Sequence, residues 1–249
     1  MITNSASGTN VHEVASGIYR INTPIQIPGG PDFNFNQYLV ADDEPLLFHT
    51  GPKRMFPLVA EAIGKVLPLE RLRYVAFSHY EADECGSLND FLAAAPAAVP
   101  VSSQVAAMVS VNDVAARPAL ALADGEVLQT GRRAFKWLDA PHVPHAWENG
   151  FMMELSTRTL LCGDLFTQGG SGAVALTEGD ILGPSEAFRA PMDYYAHAPH
   201  TAATLEKLAQ EQPQVLAVMH GSAWRGDGAA LLRALSRSLA NRAPMAVAA

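Results

Sequence analysis

The segment Ser78-His79-Tyr80-Glu81-Ala82-Asp83-Glu84-Cys85-Gly86 sets an imidazole and two carboxylates at alternate positions. In extended chain the residues i, i+2 and i+4 share a side, so His79, Glu81 and Asp83 converge. Three more ligand-type residues stand where predicted strands end: His142 after Leu138-Asp139-Ala140-Pro141, Asp164 after Leu161-Cys162-Gly163, and His220 after Val218-Met219. Ligand sites in α/β proteins favour strand carboxyl ends. One histidine after a strand is ordinarily structural. Four such ends in one chain predict a metal centre.

The donor types then select the metal. Three imidazoles with three or four carboxylates, and no thiolate in a suitable place, suit iron or manganese better than a structural zinc site, which recruits Cys and closes tetrahedrally. Glu81, Asp83, Glu84 and Asp164 together carry enough negative charge to neutralise two divalent ions while the histidines stay neutral. Two of these acids have a second reading. Asp83 could N-cap the helix that follows, and Glu84 could favour its positive end.

Elements able to hold such residues are legible along the chain. Residues 17–22 (GIYRIN), 36–41 (NQYLVA) and 45–50 (PLLFHT) read as a strand meander, with Asp42-Asp43 as a turn. Residues 53–66 have helical spacing, 73–78 (RYVAFS) resume a strand, and a helix is predicted over 85–94. Strands follow at 135–140, 151–155 and 158–162, a helix at 194–212, a fully apolar strand at 215–219 and a closing helix at 228–242. A meander followed by alternating strands and helices predicts an α/β layer architecture. The 249 residues, 49% hydrophobic, suffice for a sizeable core, and a single domain over 1–249 is expected, with residues 1–14 as a loose segment.

Composition narrows the partners. The net charge of -8 comes without clustered Lys or Arg, which argues against nucleic acid. No signal peptide and no membrane-spanning run is legible, so a cytoplasmic location is the default expectation. In that compartment Cys85 and Cys162 are not expected to pair, and Cys162 reads as a small buried hydrophobe.

The motifs resemble the metallo-β-lactamase superfamily and, within it, the di-iron domain of flavodiiron proteins. The hydrolases of the superfamily read H-x-H-x-D-H at the first motif, whereas Glu81 here matches the flavodiiron pattern H-x-E-x-D. His142-Val143-Pro144, Cys162-Gly163-Asp164, Asp193-Tyr194-Tyr195 and Met219-His220-Gly221 extend the similarity over roughly residues 17–242. The resemblance implies a four-layer αβ/βα sandwich with the metal site at the strand C-terminal edge. It also implies two iron ions joined by an oxo, hydroxo or peroxo species. His79, Glu81 and His142 would hold the first, Asp83 and His220 the second, with Asp164 as the bridge.

Two departures refine what it implies. Glu84 stands where flavodiiron enzymes place a histidine, leaving there either a carboxylate ligand or an open position. No flavodoxin domain is expected beyond residue 249, and so no flavin bound by this chain. In both respects the chain is similar to single-domain oxygen-binding di-iron proteins of bacterial chemotaxis. The expected function is binding of dioxygen or NO, as an oxygen sensor or, with an external electron-donor protein, as a reductase. A signalling partner and a homodimer are compatible with it. The alternative is a dinuclear hydrolase of a lactone, thioester or phosphodiester, with zinc or manganese in place of iron.

Around the metals, Tyr194, Tyr80 and Tyr195 are candidates for a phenol that hydrogen-bonds bound oxygen, or are simply packed aromatics. Tyr194 is the first choice. His145 is an alternative ligand, a proton carrier or a solvent-facing loop residue. His49 is expected to support a ligand or to be simply a buried histidine, Trp147 to wall the pocket, and residues 168–172 (QGGSG) to shape its rim.

Overall fold

The computed structural model describes residues 1–241. Its first sheet runs in chain order: β1 (Ile2–Asn4), β2 (Thr9–Ala15), β3 (Ile18–Gln26), β4 (Asp32–Val40), β5 (Leu46–Phe48), β6 (Tyr74–Ala76), β7 (Val99–Ser103) and β8 (Leu120–Leu122). The strands are antiparallel up to β5, as tight turns permit, and parallel from β5 to β8, where helices cross over. The second sheet holds β9 (Val127–Gln129), β10 (Ala134–Asp139), β11 (Gly150–Glu154), β12 (Thr159–Leu161), β13 (Leu176–Thr177), β14 (Val215–Ala217) and β15 (Ala223–Arg225). Their spatial order is β13-β15-β14-β12-β11-β10-β9, with β12 and β14 parallel at its centre.

The period-2 alternation of the strands builds the layers. In β5 and β6, Leu46, Phe48, Tyr74 and Ala76 face Phe135, Trp137, Met152, Leu161 and Ala217 of the other sheet. Leu47 and Val75 point the opposite way, onto Val59, Ile63, Phe91 and Leu92 of the helices Phe56–Ile63 and Leu88–Ala94. Across the molecule, Phe151, Met153, Leu160 and Leu216 meet Leu205, Leu208, Leu232 and Leu235 of the helices Thr201–Gln210 and Gly228–Ala240. The result is the expected four-layer αβ/βα sandwich.

Three stretches differ from the sequence reading. Residues 1–14 are not loose: they contribute β1 and most of β2, and Val11 and Val14 are buried. Residues 194–200 are not helical, and the helix begins only at Thr201. Pro199 explains the late start, since the residue before a proline is biased away from the helical region. The helix expected over 85–94 is two short ones, Ala82–Cys85 and Leu88–Ala94. The closing helix ends at Ala240, and Arg242 lies outside the described residues. Cys85 and Cys162 are both free and buried.

Candidate metal centre

The mouth of the sandwich, at the carboxyl ends of β6, β12 and β14, gathers the ligand-type side chains. Chain reversals there are held from inside. Buried Arg20 donates through Nη2 to the carbonyls of Gly172 and Gly221, both at 2.8 Å. Asn36 Nδ2 donates to Val218 O and Gly221 O, both at 2.9 Å. Gly221 has a φ of 98°, and a Cβ there would sit 2.6 Å from Gln168, so only glycine fits the turn after His220. Carbonyls of the QGGSG segment thus anchor this edge, which agrees with its reading as a rim.

Three imidazoles turn the same nitrogen inward. The Nδ1 of His220 lies 2.7 Å from Asn34 O and that of His145 lies 2.9 Å from Tyr194 O. A carbonyl can only accept, so both Nδ1 atoms carry hydrogen. The Nδ1 of His79 meets Ser78 Oγ at 2.9 Å, and His49 Nε2 meets the same hydroxyl at 3.0 Å. His49 is therefore linked through Ser78 to the His79 ring. The three Nε2 atoms all face one cluster of carboxylates.

That cluster divides in two around Asp164. His79 Nε2 lies 3.7 Å from Glu81 Oε1 and 3.7 Å from Asp164 Oδ2. His145 Nε2 lies 3.4 and 3.5 Å from the same two oxygens and 3.0 Å from His79 Nε2. On the other side, His220 Nε2 is 3.3 Å from Asp164 Oδ1 and 3.4 Å from Asp83 Oδ2. Asp164 thus offers one oxygen to each group. Glu84 is within ligand reach of both.

These spacings test whether cations fit. Charge-assisted hydrogen bonds close to about 2.7–2.9 Å, and the nitrogen-to-oxygen gaps here are wider. Ligands about 2.1 Å from one ion are about 3.0 Å apart at a right angle, about 3.4 Å apart in a tetrahedron and about 3.6 Å apart at 120°. The observed gaps match such polyhedron edges. His145 Nε2, which carries no hydrogen in the neutral ring, lies 3.0 Å from His79 Nε2, a spacing that either a hydrogen bond from His79 or a shared cation satisfies. The residues fit a pair of metal ions.

Electrostatics point the same way. Burial alone would lower His220, but Asp164 and Asp83 outweigh it and hold the imidazole at about 9. The His145 and His79 rings bring Glu81 down to about 2. Burial opposes ionisation of Asp164, yet His220, His79 and His145 keep it well below the usual carboxylate range. Glu84 goes the other way: burial, then Asp164 and Asp83, push it well above its ordinary value. Without metal the pocket therefore draws protons onto His220 and Glu84, the charge that cations would supply.

Of the sequence-predicted residues, His79, Glu81, Asp83, Asp164 and His220 come together, and His142 does not. Its φ is 61° and its N–H donates to Ala146 O at 2.8 Å, so the chain reverses at His142 itself. Its ring lies beside His200, with centroids 5.9 Å apart, and the loop presents His145 to the cluster instead. Pro141 and Pro144 were the available signal, because they mark a turn where the strand-end argument no longer applies.

Of the three candidate tyrosines, Tyr194 alone among the described residues has a hydroxyl in contact with the cluster: it donates to Asp164 O at 3.3 Å, and burial raises it to about 12. Tyr195 packs behind it. Tyr80 is 41% exposed and lines a hollow of about 360 Å³ with Glu81, Ala82, Leu88 and Val114, so it adjoins the cluster across Glu81. Trp147 is 57% exposed and walls a different recess beside Val105, not the metal pocket. The wall on the His220 side is Phe33, stacked 4.5 Å from that ring, and Phe35. Phe33 and Phe35 read in the sequence only as alternating strand residues. Glu81, with its side chain 51% exposed, opens the cluster to solvent.

Residues 33–221, more than half of the chain, match the family described as ODP family beta lactamase. The chain is 26% identical over 205 residues to a rubredoxin-oxygen oxidoreductase of Megalodesulfovibrio gigas, covering 77% of this chain and 49% of that protein. It therefore spans about half the length of this curated relative. Among solved structures, the rubredoxin oxygen:oxidoreductase of Desulfovibrio gigas matches with a TM-score of 0.78 at 19% identity, over 94% of this chain and 62% of that one. A putative diflavin flavoprotein fragment from Nostoc gives 0.75 at 18% identity over 94% and 98%, respectively. The flavodiiron protein of Giardia intestinalis gives 0.75 at 19%, over 92% of this chain and 59% of that one. Identities this low speak for the fold alone. On the family match the chain belongs to the ODP family of metallo-β-lactamase-type domains, and its fold is that of the flavodiiron core.

Proposed function

We propose that this chain holds two non-haem iron ions and binds dioxygen or NO, acting as an oxygen sensor or, with an external electron donor, as a reductase. The observation that carries the reading is Asp164, which offers Oδ2 to His79 and His145 and Oδ1 to His220. The donors are hard, four carboxylates with three imidazoles and no thiolate among them, which favours iron over structural zinc. A pair of ferrous ions would supply two electrons to one dioxygen.

The protein's own groups prepare the site for that ligand. Buried carbonyls fix the tautomers of His145 and His220, so little reorganisation accompanies loading. Phe33 and Phe35 exclude water on one side, while exposed Glu81 marks the approach for a small ligand. Tyr194 brings a neutral phenol against Asp164, close enough to donate a hydrogen bond to a ligand bound there after rotating away from the carbonyl. Among the described residues no helix is long and apolar enough to cross a membrane. A cytoplasmic location and a separate signalling or electron-donor partner complete the proposal.

Protein purified without oxygen is expected to develop a broad visible absorption on exposure to air, in proportion to its iron. A colourless zinc protein active on a lactone or phosphodiester panel would replace this reading with the hydrolase.

A further inference from the structure

Glu84 lies between the two halves of the cluster. It follows Asp83 directly on the short helix Ala82–Cys85, and its carbonyl accepts the Thr50 N–H at 2.7 Å, which pins the backbone. Its side chain is 0% exposed, and neither carboxylate oxygen accepts a hydrogen bond among the described residues. Glu84 Oε2 is 3.9 Å from His79 Nε2. Glu84 forms a compact set of ligand atoms with His79 and Asp164, all within 4.8 Å of one another, and a second such set with Asp83 and His220.

Burying a carboxylate without donors is expensive unless a cation meets it. An N-cap or helix-dipole role would leave Glu84 near backbone N–H groups and solvent, and it has neither. A terminal ligand to one ion would need only one of its two sets of neighbours. A carboxylate has two oxygens on one planar fork, and each can reach a different ion. An imidazole at this position could present only one nitrogen to the cluster.

We propose that Glu84 is a second carboxylate bridge, joining the same two ions as Asp164. This rests on the reading of the site as a pair of divalent cations, though not on their redox chemistry. With Glu81, Asp83 and Asp164 it brings the carboxylate charge to that of two divalent ions. Losing Glu84 therefore removes a ligand from both ions at once.

The test is an anaerobic titration of the full chain with cobalt(II), followed by calorimetry, visible spectra and magnetic susceptibility. Glu84→Gln keeps the shape of the side chain and Glu84→His supplies a ligand that cannot bridge. Glu81→Gln is the reference for a residue placed in the first group alone. The wild type is expected to take up two ions. Both Glu84 variants should weaken both binding steps by about tenfold or more and change the magnetic coupling between the ions, whereas Glu81→Gln should weaken one step. If Glu84→Gln and Glu84→His alter one step only and leave the coupling unchanged, Glu84 is a terminal ligand and the bridge is overturned. If neither step changes, Glu84 is no ligand. A wild type that binds fewer than two cobalt ions overturns the two-ion reading itself, and the bridge with it.

Discussion

Asp42 and Glu84 are both buried carboxylates with side chains at 0% exposure, and the fold treats them oppositely. Asp42, in the turn after β4, accepts from Thr130 Oγ1 at 2.9 Å, from Arg133 N at 2.9 Å and from Arg132 N at 3.3 Å. These donors tie the turn of the first sheet to the β9–β10 turn of the second. Burial pushes Asp42 up, but the N–H groups and the Thr130 hydroxyl win and hold it below its ordinary value. Glu84 has no such donors and is pushed far the other way. A carboxylate that builds the fold is satisfied by the chain. Glu84 is left unsatisfied among the described residues, as the proposed cation site requires.

The widest separation within the site itself should come from its two candidate histidines. His145→Ala removes an Nε2 from the cluster and should reduce metal affinity by about a hundredfold, in the range of a lost ligand or its support. His142→Ala should leave metal content unchanged, since its ring packs by His200 instead. Equilibrium dialysis with ferrous ion or cobalt separates the two. The reverse result would restore the sequence assignment.

Stability gives the next contrast, with opposite signs. Asp42→Ala strands the donors of Thr130, Arg132 and Arg133 and should lower unfolding stability by about 2 kcal/mol. Glu84→Met, measured after chelation, removes an unsatisfied buried acid and should raise stability by about 1 kcal/mol, while impairing metal uptake. Urea unfolding of both variants would break the comparison if the two shifts had the same sign. The pH dependence carries the sign for Asp42. Its folded value lies below the unfolded value near 3.8, so its contribution is present above that pH and is lost as pH falls through the folded value. Asp42→Ala should therefore flatten part of the acid limb of stability against pH.

The smallest effect is expected at Tyr194. Tyr194→Phe should leave iron content intact and shorten the lifetime of the air-induced absorption a few-fold, about the worth of one hydrogen bond. Unchanged decay would reduce Tyr194 to a packing residue beside Asp164.

Much of this was legible in the chain, for reasons that differ by residue. His79, Glu81 and Asp83 come together, though not by the alternation of an extended chain: residues 79–81 bend and Asp83 lies on the helix Ala82–Cys85, whose start turns it toward His220. Asp164 and His220 were readable because apolar strands announce their own ends. His145 was missed as the first choice because loop conformation depends on the reversal at His142, which composition does not encode. Strand β1 was missed because it has only three residues, and β2 because a bulge at Glu13–Ala15 breaks its alternation and sets its buried valines at 11 and 14. Phe33, Phe35 and the carbonyls of Asn34 and Tyr194 were invisible for another reason. Their roles come from chain segments far apart in sequence, brought together only when the sheets pack.

The two-ion pocket shared across Asp164 is tested most directly by elemental analysis of iron in the untreated protein and in Asp164→Ala, each purified without oxygen. The account predicts about two irons per chain in the wild type, the number that its two ligand groups imply, and no dinuclear loading in the variant. Two irons retained in Asp164→Ala, or a wild type loaded with a single ion, would contradict it.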